Sequence, residues 1–70
     1  MIKMTDVRKE VILAFADCNM NAAETARKTY RSYNSIEYHI GIIRTITGLD
    51  PKNFYDLGKL VMMVRGDDND

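Results

Sequence analysis

One imidazole, one thiol and a group of cationic side chains hold most of the chemistry in this sequence. His39 and Cys18 are the only residues of their types, and two ligands on separate segments do not make a four-ligand metal site. We therefore predict no metal site, no cofactor and no catalytic residue. Between residues 21 and 47, four cations are opposed by only two carboxylates, and this excess favours binding of an anion such as phosphate. The cations are Arg27, Lys28, Arg31 and Arg44.

The length and the charge distribution limit the kind of protein that can hold these groups. Seventy residues make one small domain with little room for a deep catalytic cleft, so an enzyme is not expected. The formal net charge is zero, but residues 1–66 hold ten basic against seven acidic residues, a net charge of +3. The other three acidic residues lie within 67–70. We predict a mildly basic domain at 1–66 and an acidic flexible tail at 67–70.

Three features of the sequence favour a cytoplasmic protein. One thiol cannot form the intramolecular disulfides on which small secreted domains usually depend. The first ten residues hold five charged side chains and no apolar segment, so they are not a signal peptide. No run of about 18 apolar residues exists. We expect a cytoplasmic protein without a membrane partner.

Apolar spacing predicts an all-α fold of four helices. Apolar residues at three- and four-residue intervals predict a first helix over about 5–18. Asn21, followed three residues later by Glu24, is a capping pair that predicts a second helix over 22–29. Residues 30–33 lack an apolar period and predict a tight turn.

The second half of the chain predicts two longer helices. Ile36, Ile40 and Ile43 lie on one face of a helix over about 34–47, and Gly48 is expected to end it in the left-handed conformation. The fourth helix is expected to begin with an Asp-Pro pair as its N-cap and first residue. That pair is Asp50 and Pro51. The expected buried stripe of the fourth helix is Phe54, Leu57, Leu60, Val61 and Val64.

Helices one and four carry apolar residues beside their main stripes. Not all of these can be buried in a domain this small, and an exposed apolar surface commonly marks an interface between proteins. We therefore predict a homodimer. The residues expected at its interface are Ile12, Leu13, Met62 and Met63.

The order of the second helix, turn and third helix has a functional implication. A short capped helix, a turn of about four residues and a longer capped helix form the layout of a helix-turn-helix, whose second helix enters the major groove of DNA. The face opposite the isoleucines holds polar or small residues that suit contacts to bases and phosphates. A solvent-exposed face of any amphipathic helix has the same composition, so geometry alone leaves both interpretations open. The residues of this face are Asn34, Ser35, Glu37, Tyr38, Gly41 and Thr45.

Five short segments strengthen the DNA interpretation through their order. They are Ala14-Phe-Ala-Asp-Cys-Asn-Met-Asn21, Glu24-Thr-Ala26, Asn34-Ser-Ile-Glu-Tyr-His-Ile40, Thr47-Gly-Leu-Asp-Pro51 and Phe54-Tyr-Asp-Leu57. Together, over about 7–64, they resemble the C-terminal helix-turn-helix of PucR/CdaR-type bacterial transcription regulators, and more distantly the Fis-type helix-turn-helix. In the former family this module usually follows larger sensory domains. The chain is expected to be either a free-standing small regulator or a part of a larger one.

The start of the third predicted helix holds the most informative part of the resemblance. An Asn-Thr-Leu-x-Tyr-(His or Arg)-Leu pattern opens the recognition helix of that family, and residues 34–40 match it. The resemblance implies that four residues lie at or near DNA: Asn34, Ser35, Tyr38 and His39. The family has an aliphatic residue, His and Arg at the three preceding positions. This chain instead has Arg31, Ser32 and Tyr33, so a sequence preference is not transferred.

We predict that the chain binds double-stranded DNA specifically and regulates transcription in a bacterium or phage, as a nucleoid-associated protein when bound. Glu37 is expected either to accept a hydrogen bond from a cytosine amino group or to weaken phosphate binding. The alternatives are a protein-interaction module and a Fis-like architectural DNA-binding protein. The predicted DNA-contacting residues are Arg27, Lys28, Arg31, Ser32, Tyr33, Asn34, Ser35, Glu37, Tyr38, His39 and Arg44.

Overall fold

Four helices make up the described part of the chain. The computed structural model describes residues 4–68, which contain α1 (Asp6–Asp17), α2 (Ala22–Thr29), α3 (Tyr33–Thr47) and α4 (Phe54–Asp68) and no strand. The predicted all-α fold of four helices is confirmed. Within residues 4–68, no helix is both long enough and apolar enough to cross a membrane.

Side-chain caps mark the starts of α1 and α2 where the sequence predicts them. The Thr5 hydroxyl accepts a hydrogen bond from the backbone N–H of Arg8 at 3.3 Å. The Asn21 side chain accepts one from the backbone N–H of Glu24 at 2.9 Å. Each bond satisfies one of the free amides at a helix start, so the residues that begin these two helices are fixed locally.

The central helix of the fold is α1. Within the described residues it packs against each of the other three helices, and Val11, Ile12 and Phe15 are at most 1% exposed. Three neighbouring helices bury a wider arc of α1 than one apolar stripe covers. The prediction that Ile12 lies at the surface is therefore wrong. Leu13 is half-buried against the same core. The other core residues are Met4, Ala26, Ile36, Ile40, Ile43, Leu57, Leu60 and Val64.

The loop between α3 and α4 confirms one predicted boundary and corrects the other. Gly48 ends α3 with a φ of 73°, as predicted. Asp50 accepts a hydrogen bond from the N–H of Lys52 at 3.0 Å, and Pro51 is fully buried, so this pair forms a turn before the helix. The cap of α4 is Asn53, whose side chain accepts two N–H groups of the first helical turn at 3.0 and 3.1 Å. α4 therefore starts three residues later than predicted.

Both ends of α4 differ from the predicted pattern. Phe54, expected in the buried stripe, is 72% exposed. It is the first residue of α4 and lies on the border of an open groove. The helical backbone continues through Asp68, two residues into the predicted tail at 67–70. Asn69 and Asp70 lie outside the described residues, and the flexibility of the tail stays a prediction.

The burial of α3 gives a stability test. We expect Ile36→Val to lower the free energy of unfolding by about 1 kcal/mol, because Ile36 is fully buried and its neighbours cannot fill the space of the lost methylene. The matched change Ile42→Val, at a half-buried position of the same helix, is expected to cost less than about 0.5 kcal/mol. Urea denaturation followed by circular dichroism measures both. Equal losses would contradict the assignment of the buried face.

Candidate nucleic-acid interface

Three residues form the turn between α2 and α3, and its first residue has an unusual backbone. Tyr30 has a φ of 58°, a left-handed conformation that glycine adopts more easily. The N–H of Arg31 donates to the Ala26 carbonyl at 2.9 Å, which closes α2 and reverses the chain. The Tyr30 side chain is 96% exposed. Tyr30 is therefore an exposed aromatic residue at a position suited to glycine. It is a candidate DNA contact that the predicted set does not include.

Ser32 caps α3 and fixes its start. Its hydroxyl accepts a hydrogen bond from the backbone N–H of Ser35 at 3.0 Å, so α3 begins at Tyr33, one residue earlier than predicted. Tyr33 and Asn34 are exposed on the first turn. Ser32 thus has a structural role in addition to its predicted DNA contact.

The face of α3 that points away from the core is exposed along the helix. Asn34, Gly41 and Thr45 are exposed, and Tyr38 is 65% exposed. Asn34 and Tyr38 therefore lie one helical turn apart on one surface, which we call the outer face. Half-buried residues border it: Ser35, Glu37 and His39.

Carboxylates pair with two of the predicted phosphate-binding cations on α2. Arg27 pairs with Glu24 of the same helix. The Nζ atom of Lys28 lies 3.7 Å from Oδ2 of Asp17 at the end of α1. Ion pairs between side chains this exposed contribute at most about 1 kcal/mol, so a phosphate can compete for both cations. Arg44 is exposed on α3.

Arg31 is held by α1 across the turn. Its Nη2 atom lies 2.8 Å from Oε1 of Glu10, and the Arg31 side chain is 30% exposed. This ion pair orders the guanidinium beside the start of α3. Because 21 residues separate the two partners in the sequence, no local pattern signals the contact.

Glu37 pairs with a cation that is absent from the predicted set. Lys52, in the loop before α4, places its Nζ atom 2.8 Å from Oε1 of Glu37. The hydrogen bond to Glu37 is the main cause that raises the pKa of Lys52 above its usual value. This ion pair engages the Glu37 carboxylate. It also places Lys52 beside α3, where Lys52 is a candidate contact to DNA. Because Lys52 lies in a loop, 15 residues from Glu37 in the sequence, no helical spacing could have predicted this contact.

His39 borders the outer face close to two arginines. Burial lowers the pKa of its imidazole below 6.5, and the positive charges of Arg31 and Arg8 lower the pKa further. The rings of His39 and Tyr38 meet edge to face, with their centroids 5.5 Å apart. Among the side chains that the structure describes, those of residues 4–66, His39 and Cys18 do not belong to any group that could hold a metal ion.

A separate apolar surface lies on α4. Met62 and Met63, predicted at a dimer interface, are exposed, and so are Phe54 and Tyr55. The two aromatic residues border a groove of about 540 Å³ between α4 and the end of α1. The exposed apolar surface therefore includes the first turn of α4, which was not predicted, and excludes Ile12, which was predicted.

Two helices joined by a three-residue turn, the second with an exposed outer face, define a helix-turn-helix domain. A family model of the PucR C-terminal helix-turn-helix domain matches residues 9–65, more than half of the chain. The chain belongs to this family, which suggests the role of a DNA-binding regulator, and the predicted resemblance is confirmed. A search of curated proteins and a search of solved structures each found no match.

The environment of His39 predicts a pH effect on folding. We expect NMR titration to give a pKa below 6.5 for His39 and a higher pKa in Arg31→Gln, which removes a nearby positive charge. The folded state disfavours the protonated imidazole, so neutral His39 contributes to stability above about pH 6.5. This contribution is lost as pH falls through the folded-state pKa of His39. Urea denaturation at several pH values measures this change, and His39→Gln is the control that should abolish it. A pKa at or above 6.5 would contradict the assignment.

Proposed function

We propose that this chain binds double-stranded DNA by placing α3 in the major groove, and that it regulates transcription in the cytoplasm. The observation that supports this most is the exposed outer face of α3, where Asn34 and Tyr38 lie one turn apart. The fifteen residues of α3 span about 22 Å, and the major groove is wide enough to admit a helix. The role requires no catalysis.

The proposed contacts divide into two kinds. Cations at the edges of α3 and on α2 bind phosphates and supply most of the affinity. Residues at the turn and on the outer face contact base edges and supply selectivity. The proposed phosphate contacts are Arg27, Lys28, Arg31, Arg44 and Lys52. The proposed base contacts are Ser32, Tyr33, Asn34, Ser35 and Tyr38, with His39 at their border.

Binding exchanges carboxylate partners for phosphates. Arg31 leaves or shares Glu10, and Lys28 leaves Asp17, so these two phosphate contacts compete with existing ion pairs. Lys52 turns from Glu37 to the DNA backbone in the same way. Glu37 is then free to accept a hydrogen bond from a cytosine amino group. The exchange lowers non-specific affinity and leaves a larger share of the binding energy to the base contacts.

We also propose that the chain is a homodimer that pairs through α4. In a two-fold interface the same patch faces itself, so the patch must hold both a projection and a hollow. The aromatic rings of Phe54 and Tyr55 project beside the groove that they border, and Met62 and Met63 extend the apolar surface. A dimer would present two copies of α3 to successive major grooves, about 34 Å apart. Leu13 stays a predicted member of this interface.

Two variants separate the proposed roles in a fluorescence-anisotropy assay with a duplex selected from a random pool. We expect Arg31→Ala to weaken binding to all sequences about equally, because a phosphate contact does not distinguish bases. We expect Asn34→Ala to cost about 1 to 3 kcal/mol, mainly on the selected duplex. Lys59→Ala, at an exposed position of α4, is the control that should change neither.

Each alternative function predicts a different result in this assay. Wild-type affinity should fall steeply as salt increases. No binding at low salt, or binding that salt does not change, would overturn the DNA proposal and favour a protein-interaction module. Equal affinity for selected and random duplexes would favour an architectural protein. Equal losses for the two variants would mean that the residue roles are misassigned.

The dimer proposal has its own test. Sedimentation equilibrium should show a dimer for the wild-type chain and a monomer for Tyr55→Glu, because a buried charge opposes pairing of the apolar surface. Tyr30→Glu is the matched control, since it makes the same change at an exposed tyrosine in the α2–α3 turn. A wild-type monomer up to the solubility limit would refute the proposal.

A further inference from the structure

Three side chains from α1, the α2–α3 turn and α3 interact electrostatically at the border of the outer face. Arg8 lies on α1, Arg31 in the turn and His39 on α3, and the charges of both arginines act on His39. Glu10 pairs with Arg31. Among residues 4–66, whose side chains the structure describes, no carboxylate pairs with Arg8. Because Glu10 opposes the charge of Arg31, the local charge is about +1 when His39 is neutral.

Each of these side chains buries a nitrogen without a hydrogen-bond partner among the described residues: Arg8 Nε, Arg31 Nε and His39 Nδ1. Such unsatisfied groups are rare in folded proteins and need an explanation. An arginine Nε–H can only donate, and Nδ1 becomes a donor when the imidazole is protonated. A negatively charged group with several oxygen atoms would supply acceptors for these donors.

We propose that Arg8, Arg31 and His39 form one binding site for a phosphate group of the DNA backbone at the edge of the groove that α3 occupies. This proposal rests on the proposed function and adds α1 to the DNA-binding surface. The charge of the cluster matches the single negative charge of a phosphodiester. Position supports the backbone as the source, because Arg31 lies just before α3 and His39 contacts the exposed ring of Tyr38.

The site makes DNA binding sensitive to pH. Arg8 from α1 and Arg31 from the turn disfavour the imidazolium form of His39, and Glu10 offsets the charge of Arg31. A bound phosphate favours the imidazolium form and raises the pKa of His39. Binding then takes up a proton, so affinity increases as pH falls between the pKa of the complex and that of the free protein.

Arg8→Gln and Arg65→Gln test the site as a matched pair. Both remove one arginine, and Arg65, which is exposed near the end of α4, is not among the charges that lower the pKa of His39. In titrations of a duplex against salt, we expect Arg8→Gln to bind about fivefold more weakly and to lower the slope of log affinity against log salt by about 1. Arg8→Lys keeps the charge and should keep the slope. Circular dichroism establishes that the variants are folded.

The single histidine gives an independent NMR signal. We expect a saturating duplex to raise the pKa of His39 in the wild-type chain and in Arg65→Gln, and to raise it less in Arg8→Gln. Inorganic phosphate alone is the second probe. If inorganic phosphate raises the pKa and the duplex does not, the site binds a free anion and the assignment to the backbone is wrong.

The outcomes distinguish this inference from the function on which it rests. If the wild-type chain binds DNA with a steep salt dependence and Arg8→Gln behaves like Arg65→Gln, the phosphate site is wrong and the proposed function stands. If the wild-type chain binds no duplex at low salt, both proposals fail. A lower slope in Arg8→Gln together with a smaller change in the His39 pKa supports the site.

Discussion

The packing of α1 against the other three helices sets the position of every other element in this domain. Phe15, Ile12 and Val11 fill the middle of a single core, and a chain of this size has no second layer that could hold α3 if α1 moved. The same helix contributes Glu10 to the turn and Asp17 to α2. The stability of the fold and the charge of the candidate interface therefore depend on one helix.

The reversal between α2 and α3 depends on a backbone conformation that its residue does not favour. A left-handed tyrosine costs about 1 to 2 kcal/mol relative to a right-handed one. Tyr30 nevertheless ends α2, while Ser32 caps α3 two residues later. Hydrogen bonds at both ends and the buried face of α3 compensate for the cost. The orientation of α3 is thus fixed by its caps and its core contacts together.

Ion pairs between helices and loops determine the charge of the candidate interface more than the net charge of the sequence does. An excess of cations in the sequence suggests an open basic surface, but Arg31, Lys28 and Lys52 each meet a carboxylate from another element. These pairs are partly exposed and weak, so they hold the side chains in place without preventing an exchange for phosphate. Arg8 differs from these three cations, because no carboxylate pairs with it among residues 4–66, whose side chains the structure describes.

Local information in the sequence determined the helices, the caps at Thr5, Asn21 and Gly48, and the buried face of α3, because helical period and capping act within a few residues. It could not choose between Asp50 and Asn53 as the start of α4, since both are good caps. Only the tertiary structure decided that choice through the burial of Pro51. It also decided that Ile12 is buried and Phe54 exposed, and which carboxylate meets each cation. Those outcomes depend on which helices surround a residue, and partners 15 or 21 positions apart leave no periodic signal.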